Sequence, residues 1–377
     1  MNPRRVWAIC RKEFLHVIRD PRSLGMAIAI PMLLLLLFGY ALSMDVDRVP
    51  LVVWDQSDSP ESRELVSRFA GSRYFLFIGP VRNDAELDRA VDTGRALVAL
   101  AIPPDFARRV ATGQDAPVQF IADGSDANTA SMAIGYARAA ALAYSQSVIL
   151  EQVRRAGGRA PAAPLDVRPR VWFNEDMESR NYIVPGLIAV IMMVIAGLLT
   201  SLTVAREWER GTMEQLIATP VKGPELILGK LLPYFAIGMT DVLIAVAMGQ
   251  FLFHVPLRGS VALVFAMSAV FLSTALSLGM MISIVTKNQL VANQLAIIAT
   301  FLPAFLLSGF IYPISNMPAV LQGLTHLIPA RYFVAMLKGI YLKGIGLEVL
   351  GLEAALLAFL GVIVVFRGNR KFKKKIA

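Results

Sequence analysis

Residues 183–205 read IVPGLIAVIMMVIAGLLTSLTVA, and residues 206–220 follow with REWERGTMEQLIATP. The first stretch is 23 residues long and carries no charge. About 20 apolar residues suffice for a helix to cross the hydrocarbon core of a bilayer. The second stretch sets two arginines and three glutamates into residues 206–214, and a new apolar run begins at Leu231. A span, a short charged connection and a second span predict a chain that crosses a membrane repeatedly.

Working outward, the same length criterion finds five more apolar runs: Ser23–Met44, Leu231–His254, Ser260–Val285, Leu290–Tyr312 and Ile345–Phe366. Pro31, Pro185, Pro233 and Pro303 lie in or at the ends of these runs. Membrane helices tolerate proline because neighbouring groups re-satisfy the freed backbone. The composition agrees: the 377 residues are 56% hydrophobic and 17% charged, against about 25% charged in a globular chain. The expected fold is a polytopic α-helical membrane protein with six transmembrane helices. The single cysteine, Cys10, excludes internal disulfides and Cys-based metal clusters. His16, His254 and His326 lie far apart with no H-E-x-x-H, which argues against a zinc enzyme.

The net charge of +9 is uneven, because segment 45–182 holds 16 Arg and 19 acidic residues while the remainder is strongly basic. Such a basic excess reads as membrane topology and not as nucleic-acid binding. Six Lys/Arg precede the first run (Arg4, Arg5, Arg11, Lys12, Arg19, Arg22), four lie in 206–230, one is Lys287, and six lie in the tail 367–377. The short loops of the opposite side hold only Arg258, Arg331, Lys338 and Lys343. The positive-inside rule then places both termini in the cytoplasm and 45–182 outside. Ala41-Leu42-Ser43 resembles a signal-peptide cleavage site, but the apolar run is too long for one and 22 residues precede it. A retained span is expected. In the leading segment Trp7, Cys10, Phe14 and Val17 recur at helical spacing opposite Arg5, Lys12, His16 and Arg19, which predicts an amphipathic helix on the cytoplasmic face. Lys373, Lys374 and Lys375 read as an anchor to anionic lipid.

Segment 45–182 changes periodicity. Val49–Asp55, Tyr74–Gly79, Ala96–Ile102 and Val118–Ala122 read as strands, and Pro60–Ala70, Asp84–Thr93 and Pro104–Thr112 as helices. Pro104 suits a first helical position. Asn128–Arg155 reads as a long helix, Gly157–Pro169 as a linker and Val171–Asn174 as a last strand. An α/β extracytoplasmic domain between helices 1 and 2 is expected. Asp123-Gly-Ser-Asp126 resembles a calcium loop weakly, and a turn with helix caps fits it better. No nucleophile elbow, phosphate loop or paired-acid constellation stands out, so binding or assembly fits this domain better than catalysis.

In the charged run, Arg206, Glu207, Glu209 and Arg210 are opposite-charge neighbours at helical spacing. Gly211 breaks that helix, Thr212 is a candidate N-cap, Glu214–Ala218 form a short helix, and Thr219-Pro220 stops it. A self-neutralised solvated loop would carry the same charges. This run, with Leu216 and Thr219-Pro220, resembles the coupling segment of type-2 ABC transporter permeases, which read R-E-x-E-x-G-T-x-E-x-L-x-x-[TS]-P. Trp208 departs from the Arg often found at its place. Arg11-Lys12-Glu13-Phe14 with Arg19-Asp20-Pro21-Arg22 resembles the elbow helix of that family. Leu307-Ser308-Gly309-Phe310 to Pro313, Asn316-Met317-Pro318 and Pro329-Ala330-Arg331-Tyr332-Phe333 resemble its C-terminal signature. The large outside domain is similar to the multidrug or antibiotic export subgroup.

The resemblance implies an organisation. Residues 1–22 would form the elbow, 23–44 the first transmembrane helix and 45–182 the outside domain. Residues 183–366 would supply helices 2–6, with coupling at 206–230 and an outer re-entrant segment at 313–344, and 367–377 a basic tail. It implies a place in a bacterial inner membrane and a dimer with a second copy or a sister permease, docked on a cytoplasmic ATP-binding cassette ATPase. ATP and Mg would sit on that partner, with no cofactor in this chain; a periplasmic adaptor belongs to some such assemblies. The residues themselves point to a separate energy source: Gly223 to Gly229-Lys230 has five intervening residues and is followed by Leu231, which is no Walker A loop.

Asp241 lies near the middle of the third run, where a charge costs roughly 2.5–3.5 kcal/mol on insertion scales. It reads either as a polar point on an export path or as a buried hydrogen-bond partner that fixes helix packing. Met192, Met193, Met267, Met280 and Met281 suit a surface for varied apolar ligands, though lipid-facing packing explains them as well. The expected function is the permease subunit of an exporter that moves an amphipathic or hydrophobic substrate outward from the cytoplasm or inner leaflet. A membrane-anchored surface receptor or secretion-associated protein shares the layout but does not need an ordered charged run. An ion-driven secondary transporter predicts repeats and several intramembrane acids, where Asp241 stands alone near mid-membrane.

Overall fold

The computed structural model describes residues 1–42, 48–155, 172–175 and 178–372. Ser43, the expected linker at 157–169, Val171 and Lys373–Lys375 lie outside the described residues. The chain divides into two compact units, one made of Met1–Ser43 with Arg170–Ala377 and the other of Met44–Pro169.

The first unit is helical. Its helices are α1 (Pro3–Ile18), α2 (Pro21–Ala41), and, numbered after the helices of the second unit, α7 (Ser179–Ser201), α8 (Thr203–Glu209), α9 (Thr212–Ala218), α10 (Gly223–Ala247), α11 (Val261–Thr286), α12 (Gln289–Leu307), α13 (Ala319–Thr325), α14 (Pro329–Lys338) and α15 (Leu347–Lys371). Among the described residues five helices are long and apolar enough to cross a membrane: α7 continued by α8, α10 with the π-turn after it, α11, α12 and α15. The described apolar part of α2, Ala27–Ala41, is shorter. A helix that is apolar all round belongs in the middle of a bundle or in lipid. Both cases occur: α7 is buried over most of its length, whereas α15 turns most of its surface outward.

Small residues let these helices approach closely, as membrane packing requires. A Cβ on Gly197 would come within 2.6 Å of Thr300 Cγ2 on α12. A Cβ on Gly279 of α11 would collide with Thr200 and with the Gly197 carbonyl. The Thr200 hydroxyl lies 2.8 Å from the Ala196 carbonyl and 2.9 Å from the Leu276 carbonyl, so a polar side chain inside the bundle joins α7 to α11. Phe271 of α11 stacks on Phe333 of α14 with ring centroids 4.1 Å apart. Between α12 and α15 the chain forms a 3-10 turn at Ile314–Asn316, then α13 and α14, and a π-turn at Gly339–Lys343.

The second unit holds β1 (Val49–Asp55), α3 (Pro60–Ala70), β2 (Phe75–Pro80), α4 (Asp84–Asp92), β3 (Val98–Ile102), α5 (Phe106–Thr112), β4 (Gln119–Ala122) and α6 (Ala127–Arg155). Its sheet runs β2-β1-β3-β4, with β1 parallel to β2 and β3, and β4 antiparallel to β3. Successive strand residues point to opposite faces. Val49, Leu51, Val53, Val98, Leu100 and Ile102 therefore pack with Leu65, Phe69, Phe106 and Tyr144 on one face. Val52, Ala99 and Ala101 meet Leu87 and Ala90 of α4 on the other. Two details differ from the sequence reading, whereas the turn with helix caps expected at Asp123–Asp126 is present. Pro104 precedes α5, whose N-cap position is Asp105. Trp172–Asn174 form no strand. Asp126 caps α6 by accepting from the Asn128 and Thr129 backbone N–H groups, and Asp123 accepts from the Ser125 N–H.

Candidate functional site

The charged connection that opens the sequence lies where α1, α8, α9 and the start of α10 meet. Asn2 caps α1, its Oδ1 accepting from the Arg4 N–H at 3.0 Å, and Pro3 occupies the first turn. The helix buries Val6, Ile9, Glu13 and Val17. Of the expected apolar stripe Val17 alone lies on this buried face, while Cys10 is half-buried and Trp7 and Phe14 are exposed. The register is set by α10. Gly229 leaves room for α1 there, since a Cβ on it would stand 2.7 Å from Ile9 Cβ.

A glutamate belongs on a buried face only if its charge is matched. Glu13 is matched by Lys230 of α10, whose Nζ lies 2.7 Å from Glu13 Oε1. The same Nζ donates to Glu207 Oε1 of α8 at 3.0 Å and reaches the Thr203 carbonyl at 3.4 Å. Lys12 of α1 adds a second ammonium 3.1 Å from Glu207 Oε1. Lys230 is 2% exposed, so this is a buried cluster and not a surface ion pair. A second tie lies one turn earlier. Glu225 is buried at the start of α10, accepting from the Asn2 N–H at 2.7 Å and the Lys222 N–H at 2.9 Å. Arg5 donates to the Pro220 carbonyl at 2.6 Å.

The expected helical charge pairs within 206–210 give way to these tertiary ones. Glu207 turns to Lys230 and Lys12, and Glu209 accepts from the backbone and side chain of Gln289 at the start of α12. Gly211 has φ +69°, the left-handed conformation that glycine adopts without cost, and it occupies the N-cap position of α9. Thr212 is therefore the first residue of α9 and not its cap, and its hydroxyl donates back to the Glu207 carboxylate. Thr219 ends α9 in extended conformation, its hydroxyl donating to the Leu216 carbonyl at 2.7 Å. Met213 is the buried anchor of α9, packed with Ile9, Leu226 and half-buried Leu216. Trp208 packs in the same region, and Lys287 Nζ lies 4.4 Å from its ring centroid. The Ser283 hydroxyl of α11 accepts from the Val204 and Ala205 N–H groups at 2.9 Å, fixing the join of α7 to α8.

The arrangement leaves a charged outer face. Glu209, Arg210, Gly211, Glu214, Gln215 and Pro220 are exposed, as are Arg11 and Lys12 on α1. Arg206 turns inward to line a cavity of about 280 Å3 with His16, Asp20, Tyr234 and Asn293. Asp241 stands apart from this cluster, 2% exposed in the C-terminal third of α10. Sequence reasoning treated Lys230 as a topology charge and Glu225 not at all. The available signal was a charge on the Leu226–Gly229–Lys230 side of an otherwise apolar helix. Among the described residues no group of three or more His, Cys, Asp or Glu is placed to hold a metal ion.

Residues 21–366 match the family model described as ABC-2 family transporter protein. The chain is 40% identical over 342 residues to the probable multidrug ABC transporter permease YbhS of Escherichia coli K12, covering 90% of this chain and 89% of that one. It is 31% identical over 342 residues to the probable multidrug ABC transporter permease YbhR of the same strain, covering 90% of each. It is 26% identical over 329 residues to the inner membrane transport permease YhhJ, covering 82% of this chain and 83% of that one.

Proposed function

The chain belongs to the ABC-2 family of transporter proteins, and on that premise we propose that it is the membrane subunit of an exporter driven by a separate ATP-binding cassette ATPase. The exporter moves an amphipathic or hydrophobic substrate from the cytoplasm or inner leaflet. The relatives named as multidrug and inner membrane permeases support this reading. In the membrane α2 serves as a sixth span, both termini are cytoplasmic and the α/β unit lies outside. The permease works as a pair, with a second copy or a sister permease.

One observation carries the mechanism: Lys230 joins α1, α8 and α10 in a single buried cluster beneath the exposed residues of α8 and α9. A force applied to α9 reaches α7 through α8 and reaches α10 through Thr219–Lys222, while the cluster stops α1 from sliding free. Glu209, Arg210, Glu214 and Gln215 form the face for the ATPase, with the outer side of α1 beside it. Rocking of α7 and α10 then alternates access to the cavities between them. Gly223–Lys230 forms the first turns of α10, which supports an energy source on another chain. The energy comes from ATP bound with Mg on the partner.

The test is co-purification from the native membrane. The full chain, tagged at one terminus, brings down an ATP-binding cassette protein whose hydrolysis responds to added amphiphiles. Recovery of the intact permease with no ATPase, from membranes that contain one, overturns the reading.

A further inference from the structure

Asp241 is buried in α10, and neither of its carboxylate oxygens has a hydrogen-bond partner among the described residues. It lines a cavity of about 10 Å3 enclosed by Pro31, Met32 and Leu35 of α2, by Ile188 and Met192 of α7, and by neighbours on α10. Among the described residues no lysine, arginine or histidine lines that cavity. A buried carboxylate without a partner is costly, so an acid retained in such a place needs a reason. The hydrogen-bonded packing role considered for Asp241 in the sequence is not it, since the side chain has no partner among the described residues.

The larger cavity supplies the reason. Its walls come from the same three helices: Ala27 and Ile30 of α2, Ile195 and Leu199 of α7, and Tyr234 and Ile237 of α10. Ile237 is one helical turn from Asp241, Ile195 one turn from Met192 and Ile191, and Ile30 is adjacent to Pro31. The two cavities thus lie in sequence along one seam. The lower one holds about 280 Å3, is mostly apolar, and has His16, Asp20, Arg206 and Asn293 at one end. The upper one is no larger than a water molecule and carries the acid.

We infer that this seam binds a lipophilic cation, with the apolar body of the ligand in the lower cavity and its ammonium group paired with Asp241. An ammonium matches the small upper cavity and a bare carboxylate both in charge and in donors. The methionines at the cavity, Met32, Met192 and Met248, adapt to varied apolar shapes. This inference rests on the exporter reading for its biological sense, but the binding itself does not need the ATPase.

The experiment uses the full-length permease in lipid nanodiscs, with dodecylammonium as probe and neutral dodecanol as its matched control, both corrected for partition into empty nanodiscs. Asp241→Asn is expected to weaken dodecylammonium binding roughly tenfold or more, the loss of a charge-assisted contact. Dodecanol binding is expected to stay within about twofold, and Asp241→Glu to restore most of the ammonium affinity. Equal binding of dodecylammonium to wild type and Asp241→Asn overturns the inference. So does parallel loss of both probes, which makes Asp241 a structural residue. Stimulation of ATP hydrolysis in the purified complex is read separately. Asp241-dependent binding without stimulation sustains the site and sinks the exporter reading. Stimulation by both probes alike, with binding indifferent to Asp241, does the reverse.

Discussion

Lys230 Nζ on α10 lies 2.7 Å from Glu13 Oε1 on α1, two residues 217 positions apart in the chain, and both are buried. The pair makes the N-terminal helix part of the bundle, where composition alone would leave it as a basic arm on a lipid surface. Because Glu207 shares the same ammonium at 3.0 Å, the position of α1 and that of the charged connection are set together.

Removing the shared cation is therefore more damaging than removing any one acid. Lys230→Ala leaves Glu13 and Glu207 facing one another in a poorly solvated site, and about 3–5 kcal/mol of destabilisation is expected. The expected result is a lower melting temperature in detergent and faster proteolysis of residues 1–20. The triple replacement Lys230→Met, Glu13→Leu, Glu207→Gln removes the buried charges and leaves only the exposed Lys12, so it is expected to recover most of that loss. A melting temperature for the triple variant as low as that of Lys230→Ala contradicts the assignment.

Buried and exposed acids of the charged connection are expected to separate in effect. Glu207→Lys puts a third cation beside Lys230 and Lys12, and about 3–5 kcal/mol of stability is expected to be lost. Glu214→Lys changes an exposed residue and is expected to leave the melting temperature within about 1 °C, since surface substitutions fall within about 0.5 kcal/mol. In the assembled complex Glu214→Lys is instead expected to weaken ATPase association several-fold. Unchanged association, with equal substrate-stimulated hydrolysis, removes α9 from the docking face.

The contrast shows where the sequence was readable. The long apolar runs were legible because lipid demands a helix with its backbone bonds satisfied internally, a demand that leaves its mark over 20 residues. The four strands were legible because a short run rich in Val, Ile, Leu and Phe, such as Leu51-Val52-Val53, is a local signal. Glu13 was legible as part of an elbow motif but not as a buried residue, since its counter-charge is remote in sequence. For the same reason Arg206, Glu207, Glu209 and Arg210 read as mutual partners. Local spacing offers those pairs, and only the fold brings Lys230 and Gln289 closer. Thr212 read as a cap because it follows a glycine, yet the left-handed Gly211 takes the cap position and frees the hydroxyl for Glu207.

Glycines offer a test of the packing itself. In Gly279→Ala the new methyl meets the Gly197 carbonyl at 2.5 Å, and backbone cannot step aside cheaply. A loss of about 1–3 kcal/mol is expected, with the α7–α11 contact opened. Gly351→Ala lies in α15 with nothing within 4 Å of the added methyl. There the better helix propensity of alanine is expected to add up to about 1 kcal/mol. Melting curves of the two variants should move in opposite directions, and a shared direction argues against the close approach of α7 and α11.

The α/β unit has its own core, so damage there should stay there. Phe69 is 1% exposed, with Phe75 and Phe120 at centroid distances of 5.4 and 6.3 Å, and it holds α3 onto the sheet. Phe69→Ala empties that contact and is expected to cost about 3–5 kcal/mol. A unit of this size has only about 5–15 kcal/mol in all, so a large share of its stability goes. Limited proteolysis should then cut within residues 44–169 at temperatures where wild type resists. The helical unit should keep its melting temperature, because its own core is built around Phe271 and Phe333 with Val17 of α1 and Leu35 of α2. Concerted loss of both units in Phe69→Ala contradicts the independence of the two cores.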